Sequence, residues 1–205
     1  DVASEDSTYT NPLKAIEFFK KTGVDALAIS YGTKHGPNKG KDTVIRKEIP
    51  IAIKECMRHE RIDGFLVSHG SSTVPQYVVN EANALGADLK EMYGIDVAQL
   101  VEVSKLGINK INVDTDLRLA VTRNIRELFA NYPSLKTTEI GSKIYAIIDQ
   151  NRGISDPRAY LYPIMETLMY GTIPNEDVAA IISAVEAGVK EVVGALIVQF
   201  GSYGH

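Results

Sequence analysis

Short apolar runs alternate with longer segments of helical period along the first two thirds of the chain. The runs DALAISYG at 25–32, DGFLVSHG at 63–70 and NKINVDT at 109–115 predict three strands. Helices are predicted before, between and after them, because apolar positions there recur every three to four residues. Short apolar strands separated by helices are typical of parallel βαβ units with both sheet faces covered. The predicted helices span residues 11–23, 43–58, 75–86, 96–107 and 116–133.

Residue types that commonly cap or terminate helices locate the ends of these predicted helices more closely. Asn11 is a candidate N-cap, with Pro12 at the first helical position and Gly23 just past the end. Pro50 is expected to break or kink the middle of the helix at 43–58. For the helix of DLRLAVTRNIREL, either Thr115 or Asp116 can be the cap, and the pattern favours Asp116.

The chain from about residue 134 predicts helices only. They are expected at 139–150, at 157–170 after Asp156-Pro157, and in one long helix from Asn175, which Gly188 and Gly194 weaken. The very apolar end of the last helix, GALIVQFG at 194–201, predicts burial against another subunit. A homo-oligomer, a dimer or larger, is therefore expected.

Composition narrows the class of protein. The 205 residues are 44% hydrophobic with a net charge of -4, which is ordinary for a globular protein and argues against a nucleic-acid surface. The single cysteine, Cys56, fits a reducing compartment. No uncharged apolar stretch reaches the roughly 20 residues that cross a bilayer. A cytoplasmic protein without a membrane or nucleic-acid partner is predicted.

Two of the four histidines occupy the same place in successive units. His35 and His69 each precede a glycine and follow a predicted strand. In a parallel α/β barrel the carboxyl ends of the strands converge on one face, so these imidazoles can share a metal such as zinc. Taken alone, His35 is better explained as a surface-loop histidine, and His69 can be a structural polar residue at a strand end. The shared position of the two histidines is what favours a metal site.

Glycine, serine and lysine beside these histidines suit an anion. Gly36 and Lys39 predict a phosphate contact in TKHGPNKG, and HGSST offers backbone amides and hydroxyls from Gly70, Ser71 and Ser72. Ser/Gly turns are common, so HGSST points to phosphate only because it follows a strand. The third strand ends in NVDTD, whose polar residues Asn112 and Asp114 can reach a ligand at the same edge.

Three strands cannot close a (β/α)₈ barrel, which needs eight strands and about 250 residues. We therefore expect an α/β chain that supplies about the last three βα units of a TIM barrel plus C-terminal helices. Residues 1–205 are predicted to be a single incomplete domain, with barrel units at 1–133 and a helical extension at 134–205. As an isolated polypeptide it should neither close a barrel nor catalyse.

An ordered set of motifs resembles the class II, metal-dependent fructose-bisphosphate aldolases. The set is YGTKHGPNK, LVSHGSSTVPQ, KINVDTDLRLAVT, DPRAYL and FGSYG. The resemblance runs from near residue 1 to about 170 and returns at the end. It implies a TIM barrel that uses zinc to cleave fructose 1,6-bisphosphate to dihydroxyacetone phosphate and glyceraldehyde 3-phosphate.

The resemblance also implies roles for individual residues. His35 and His69 would bind zinc, while Asn112 would contact the substrate, with Asp114 beside it. A third zinc histidine, a catalytic aspartate and a loop glutamate are expected outside this chain. An arginine often meets the second phosphate, and Arg158 is the candidate. The phosphate of dihydroxyacetone phosphate would contact Gly36, Lys39, Gly70, Ser71, Ser72 and Thr115.

Three other functions stay open on the sequence alone. Tagatose 1,6-bisphosphate differs from the fructose compound at one stereocentre, and these motifs do not separate the two. A phosphosugar isomerase or epimerase barrel would use the same phosphate loops without a metal. A non-catalytic half-barrel follows if no preceding segment supplies the missing acid and metal ligand.

Overall fold

A computed structural model of the chain describes residues 9–165 and 175–204. The chain forms two compact units that interleave along the sequence. The first unit comprises the residues up to Thr73 together with Tyr93–Val113, and the second comprises Val74–Met92 together with the residues from Asp114 onward.

The first unit is built on a three-stranded parallel sheet, as the alternating pattern predicts. Its strands lie in the order β1-β2-β3, and Ile29, Ser68 and Ile111 stand side by side where the three strands end. The loops that follow the strands therefore leave from one edge of the sheet. The elements of this unit are α1 (Pro12–Thr22), β1 (Ala26–Ile29), α2 (Glu48–His59), β2 (Phe65–Ser68), α4 (Val97–Lys105) and β3 (Ile108–Ile111).

The capping residues predicted for α1 are confirmed. The Asn11 side chain accepts hydrogen bonds from the backbone N–H groups of Leu13 and Lys14, at 3.0 and 3.2 Å. Gly23 ends the helix in the left-handed region, with φ +66°, and its N–H donates to the Phe19 carbonyl. These bonds satisfy backbone groups that a helix end leaves unpaired.

The start predicted for the helix at 43–58 is wrong. The helix begins at Glu48, so Pro50 lies in its first turn rather than its middle. Backbone N–H groups in the first turn have no partner within a helix, so proline costs nothing there. Residues 43–47 form a loop in which the Ile45 N–H donates to the Gln99 side chain at 3.0 Å. The third strand is also shorter than predicted and ends at Ile111.

The second unit is helical. The long central helix α5 (Thr115–Asn131) packs against α3 (Gln76–Ala84) and α7 (Glu176–Gln199) through apolar side chains that include Leu119, Ala120 and Val192. The predicted helix at 139–150 is confirmed. The helices of this unit are α3 (Gln76–Ala84), α5 (Thr115–Asn131), α6 (Glu139–Gln150) and α7 (Glu176–Gln199), and Pro133–Thr137 forms a 3₁₀ turn.

The N-cap predicted at Asp116 is wrong. Helix α5 begins at Thr115, and Asp114 occupies the capping position. Asp116 is fully buried, and its carboxylate accepts a hydrogen bond from the Val74 N–H at 2.8 Å. The carboxylate thus satisfies a buried donor of the turn that leads into α3.

The helix predicted at 157–170 is interrupted. Pro157–Ala159 is a short 3₁₀ turn, for which the Asp156 side chain accepts from the Arg158 N–H at 3.0 Å. Residues 162–165 are helical, and residues 166–170 lie outside the described part of the chain.

Gly188 marks where α7 approaches α5 most closely. A Cβ atom at this position would lie 2.9 Å from the backbone carbonyl of Ala120, whereas a Cβ at Gly194 meets nothing within 4 Å. The two glycines predicted to weaken this helix therefore differ in their surroundings. Gly188 permits backbone contact between two helices.

We expect opposite effects from alanine at these two glycines. Gly194→Ala should raise the free energy of unfolding by about 0.5–1 kcal/mol, because alanine is the better helix former. Gly188→Ala should lower it by about 1–3 kcal/mol, since the added methyl overpacks the contact with α5. Chemical denaturation of both variants beside the parent protein measures the difference. Equal effects would contradict this account of the α5–α7 contact.

The apolar end of α7, predicted to be buried, is exposed in this single chain. Ile197 is 40% and Val198 65% accessible. Among the described residues, no helix is long and apolar enough to cross a membrane.

Candidate functional site

The two histidines singled out by the sequence come together. His35 follows β1 and His69 follows β2, so parallel pairing brings both loops to one edge of the sheet. Their ring centroids lie 5.9 Å apart with the planes tilted by 57°. Both side chains are exposed. The pair is accessible to a ligand from solvent in this unit.

Gly70 allows the two histidine loops to approach each other. It adopts φ +65°, and a Cβ atom there would lie 2.7 Å from the carbonyl carbon and oxygen of Lys34. Both the left-handed backbone and the close approach require glycine. Gly36, beside the other histidine, has φ +95° and open space around it.

The loop that carries His35 is held by backbone hydrogen bonds to Tyr93 and by the side chain of Lys39. Tyr93 exchanges backbone hydrogen bonds of 2.9 Å with Pro37 and Lys39. The Lys39 side chain is only 5% exposed, and its Nζ donates to the carbonyl oxygens of Lys34 and Gly36, the latter at 3.0 Å. The ammonium group therefore fixes the loop conformation. A direct contact of Lys39 with phosphate stays a prediction.

Three buried hydroxyl groups support the second histidine loop. The Tyr31 hydroxyl hydrogen-bonds to the Ser68 hydroxyl, which bonds in turn to the Ser71 hydroxyl at 2.5 Å, and all three residues are fully buried. Burial raises the pKa of Tyr31, and the two serines only partly offset this effect. The phenol therefore keeps its proton at neutral pH. Sequence analysis missed Tyr31 and Ser68, which lie within apolar strand signals.

Asn112 orients His69. Its backbone N–H donates to the Ser68 carbonyl at 2.9 Å, and its side-chain Nδ2 lies 3.1 Å from His69 Nε2. The Asn112 amide therefore lies against the imidazole and limits the rotation of the His69 ring. The predicted contact of Asn112 with substrate is untested, but this amide also positions a predicted metal ligand.

The HGSST loop is held by a second glycine that the sequence analysis missed. A Cβ at Gly94 would lie 2.2 Å from the Thr73 carbonyl carbon, and the next residue, Ile95, donates its N–H to the Ser72 carbonyl at 3.0 Å. Ser72 is buried. In the sequence, Gly94 is simply one glycine in the segment between the helices predicted at 75–86 and 96–107, and nothing else marks it.

A cavity of about 490 Å³ adjoins the His35 loop within the first unit. Its lining includes Lys34, Lys39 and Lys41 with one carboxylate, Asp42. The excess of positive charge suits an anion such as phosphate.

The remaining predicted residues belong to the second unit. Arg158, proposed as a phosphate ligand, has a side chain that is 73% exposed and pairs with Asp156 at 2.6 Å. The hydrogen bond from Arg158 is the main reason that the pKa of Asp156 is lowered. Arg118, which sequence analysis did not single out, binds both Asp114 and Asp156, at 2.5 and 2.9 Å. Thr115 is half-buried at the start of α5.

The histidine pair fits two ligands of one metal ion. Two imidazoles bound through Zn–N distances of about 2.0–2.1 Å place their ring centres roughly 5 to 6 Å apart, which matches 5.9 Å. In the part of the chain described by the structure, no three His, Cys, Asp or Glu residues cluster as a complete metal site. Catalytic zinc sites use three protein ligands, so a third ligand has to come from elsewhere.

The fold and this site define a class of protein: a parallel α/β protein with paired histidines and glycine-containing loops at the carboxyl ends of its strands. Residues 1–205 match the model of the family described as fructose-bisphosphate aldolase class-II. The chain belongs to that family.

Curated relatives bear the same name. The chain is 48% identical over 127 residues, or 61% of its length, to the fructose-bisphosphate aldolase of Pseudomonas aeruginosa, covering 35% of that protein. It is 34% identical over 159 residues, or 78% of its length, to fructose-bisphosphate aldolase 2 of Cereibacter sphaeroides, covering 40% of that protein. The chain thus spans well under half the length of these relatives.

Proposed function

We propose that this chain is the C-terminal portion of a zinc-dependent aldolase. The reaction is the reversible cleavage of fructose 1,6-bisphosphate to dihydroxyacetone phosphate and glyceraldehyde 3-phosphate. The observation that carries the proposal is the approach of His35 and His69 to 5.9 Å at the edge where the strands end. Family membership and the names of the relatives support the substrate.

The paired histidines would hold the metal together with a third ligand outside the chain. When bound, the zinc ion supplies a Lewis acid that polarises the substrate carbonyl and stabilises the negative charge left by carbon–carbon cleavage. Asn112 restricts the orientation of the His69 ring through the contact of its amide with the imidazole. The proton transfers require acids and bases outside these residues.

The loops beside the histidines would hold a phosphate group. Gly36 leaves open space beside His35, Gly70 lets the two histidine loops approach each other, and the lysines around the 490 Å³ cavity supply positive charge. Thr115, Asp114 and Arg158 remain candidate contacts to the substrate or its second phosphate. Arg158 would have to leave Asp156 to serve in that role.

We further propose a (β/α)₈ barrel in a homo-oligomer located in the cytoplasm. The three parallel strands represent its last βα units, and residues 134–205 its helical extension. Exposed Ile197 and Val198 near the end of α7 support a subunit contact there.

Removal and return of zinc tests the function in the full protein that carries this chain. Dialysis against a chelator should abolish triose phosphate formation from fructose 1,6-bisphosphate, and one equivalent of Zn²⁺ should restore it. Tagatose 1,6-bisphosphate, assayed in parallel, should be cleaved with a lower kcat/KM. Activity that survives chelation would reject the metal mechanism in favour of a metal-free phosphosugar enzyme.

A further inference from the structure

A second basic cavity lies within the helical unit, at the ends of α3, α5 and α6. Its volume is about 220 Å³. Three positively charged side chains line it, Arg126, Lys136 and Arg152, against one carboxylate, Asp149. None of these residues has a part in the proposed aldolase reaction.

Arg126 differs from the other two cations of this cavity because it is buried. It is only 6% exposed, and its guanidinium donates to the main-chain carbonyls of Ile148 and Arg152 at 3.0 and 3.2 Å. Its Nε is buried without a hydrogen-bond partner, and no carboxylate of the described residues lies within 4.0 Å of it. A buried charge without a counter-ion is costly, because carbonyl dipoles replace only part of its hydration.

The neighbouring charges do not neutralise Arg126. Arg152 reaches Asp149 only at 3.9 Å, and the Lys136 ammonium lies over the ring of Tyr145 at 4.6 Å from its centroid. Burial is the main cause that lowers the pKa of Arg126; Tyr160 and Asp149 oppose this effect, while the positive charge of Arg152 adds to it. An anion in the cavity would relieve this repulsion.

The size of the cavity limits the ligand. At about 30 Å³ per molecule it holds roughly seven waters, and it is smaller than the pockets of about 300–1,000 Å³ that take drug-sized ligands. Arginine and lysine together are the side chains that recognise phosphate groups. We propose that this cavity, which we call the Arg126 pocket, binds a phosphate group, carried either by inorganic phosphate or by a small phosphate ester.

Calorimetric titration of the full protein with inorganic phosphate and with glycerol 3-phosphate tests the proposal. Binding at the Arg126 pocket is the part that substitutions in the pocket weaken, because binding at the proposed aldolase phosphate loops is common to the parent protein and all variants. Arg126→Met should weaken binding of the preferred ligand by about tenfold or more, because hydrogen bonds to charged groups contribute on that scale. Lys143→Met is the matched control, since Lys143 is an exposed cation of α6 outside the pocket. It should leave the affinity unchanged.

A second pair of variants keeps the test decisive if Arg126→Met does not fold. Lys136 is half-buried and Arg152 exposed, so Lys136→Met and Arg152→Met change only the rim of the pocket. Each should weaken binding severalfold. Affinity unchanged in both, or in a folded Arg126→Met protein, would overturn the proposal. Tighter binding of the ester identifies a phosphorylated metabolite as the ligand, and equal binding identifies phosphate itself.

Discussion

Replacing His69 with alanine is expected to lower the rate of aldol cleavage by about a thousandfold and to abolish tight zinc binding. A bound metal stabilises charge in the transition state by several kcal/mol, and about 4 kcal/mol corresponds to a factor of a thousand. His35→Ala should have the same effect, because in the proposed site both imidazoles would bind the same ion. Steady-state kinetics and the zinc content of the dialysed proteins measure the two losses.

His59 provides the control for these variants. It is an exposed histidine at the end of α2, in the same unit as the pair. His59→Ala should retain full zinc content and activity. If His69→Ala retained a full equivalent of zinc while losing activity, His69 would be a substrate contact rather than a metal ligand.

Gly70→Ala is expected to weaken zinc binding by at least about tenfold without removing either ligand. The added methyl would lie 2.7 Å from the Lys34 carbonyl group, so the two histidine loops have to separate. Such local distortions typically cost about 1–3 kcal/mol, and about 1.4 kcal/mol is enough for a tenfold effect. Competition with a chromogenic zinc chelator measures the change in affinity.

Gly23→Ala separates the collision from the backbone strain. Gly23 has φ +66°, nearly the same as Gly70, but a Cβ there meets nothing within 4 Å. Both variants bear the cost of alanine in the left-handed region. Only Gly70→Ala should lose zinc affinity. Equal affinity in the two variants would mean that the approach of the loops does not set the geometry of the site.

The sequence predicted the elements and the histidine pair because these depend on local pattern. Alternation of apolar runs with helical segments placed all three strands, and parallel pairing then brings residues after strand ends to one edge. The boundaries of α2 were less well predicted, because Pro50 is equally compatible with a broken helix and with a first turn.

Contacts between distant segments could not be predicted in the same way. The hydroxyl chain from Tyr31 through Ser68 to Ser71 depends on strand register, and each residue alone resembles an ordinary strand residue. Asp116 was predicted as a cap, but the fold uses its carboxylate to bind the Val74 N–H. The burial of Arg126 is equally hidden, because the sequence around it has the pattern of an amphipathic helix.

The measurement that tests the central claim most directly is anomalous diffraction at the zinc edge from crystals of the zinc-loaded protein. We expect a single peak within about 2.0–2.1 Å of one nitrogen of His35 and one nitrogen of His69. A zinc peak elsewhere, or one bound to only one of the two imidazoles, would contradict the shared metal site on which the proposed function rests.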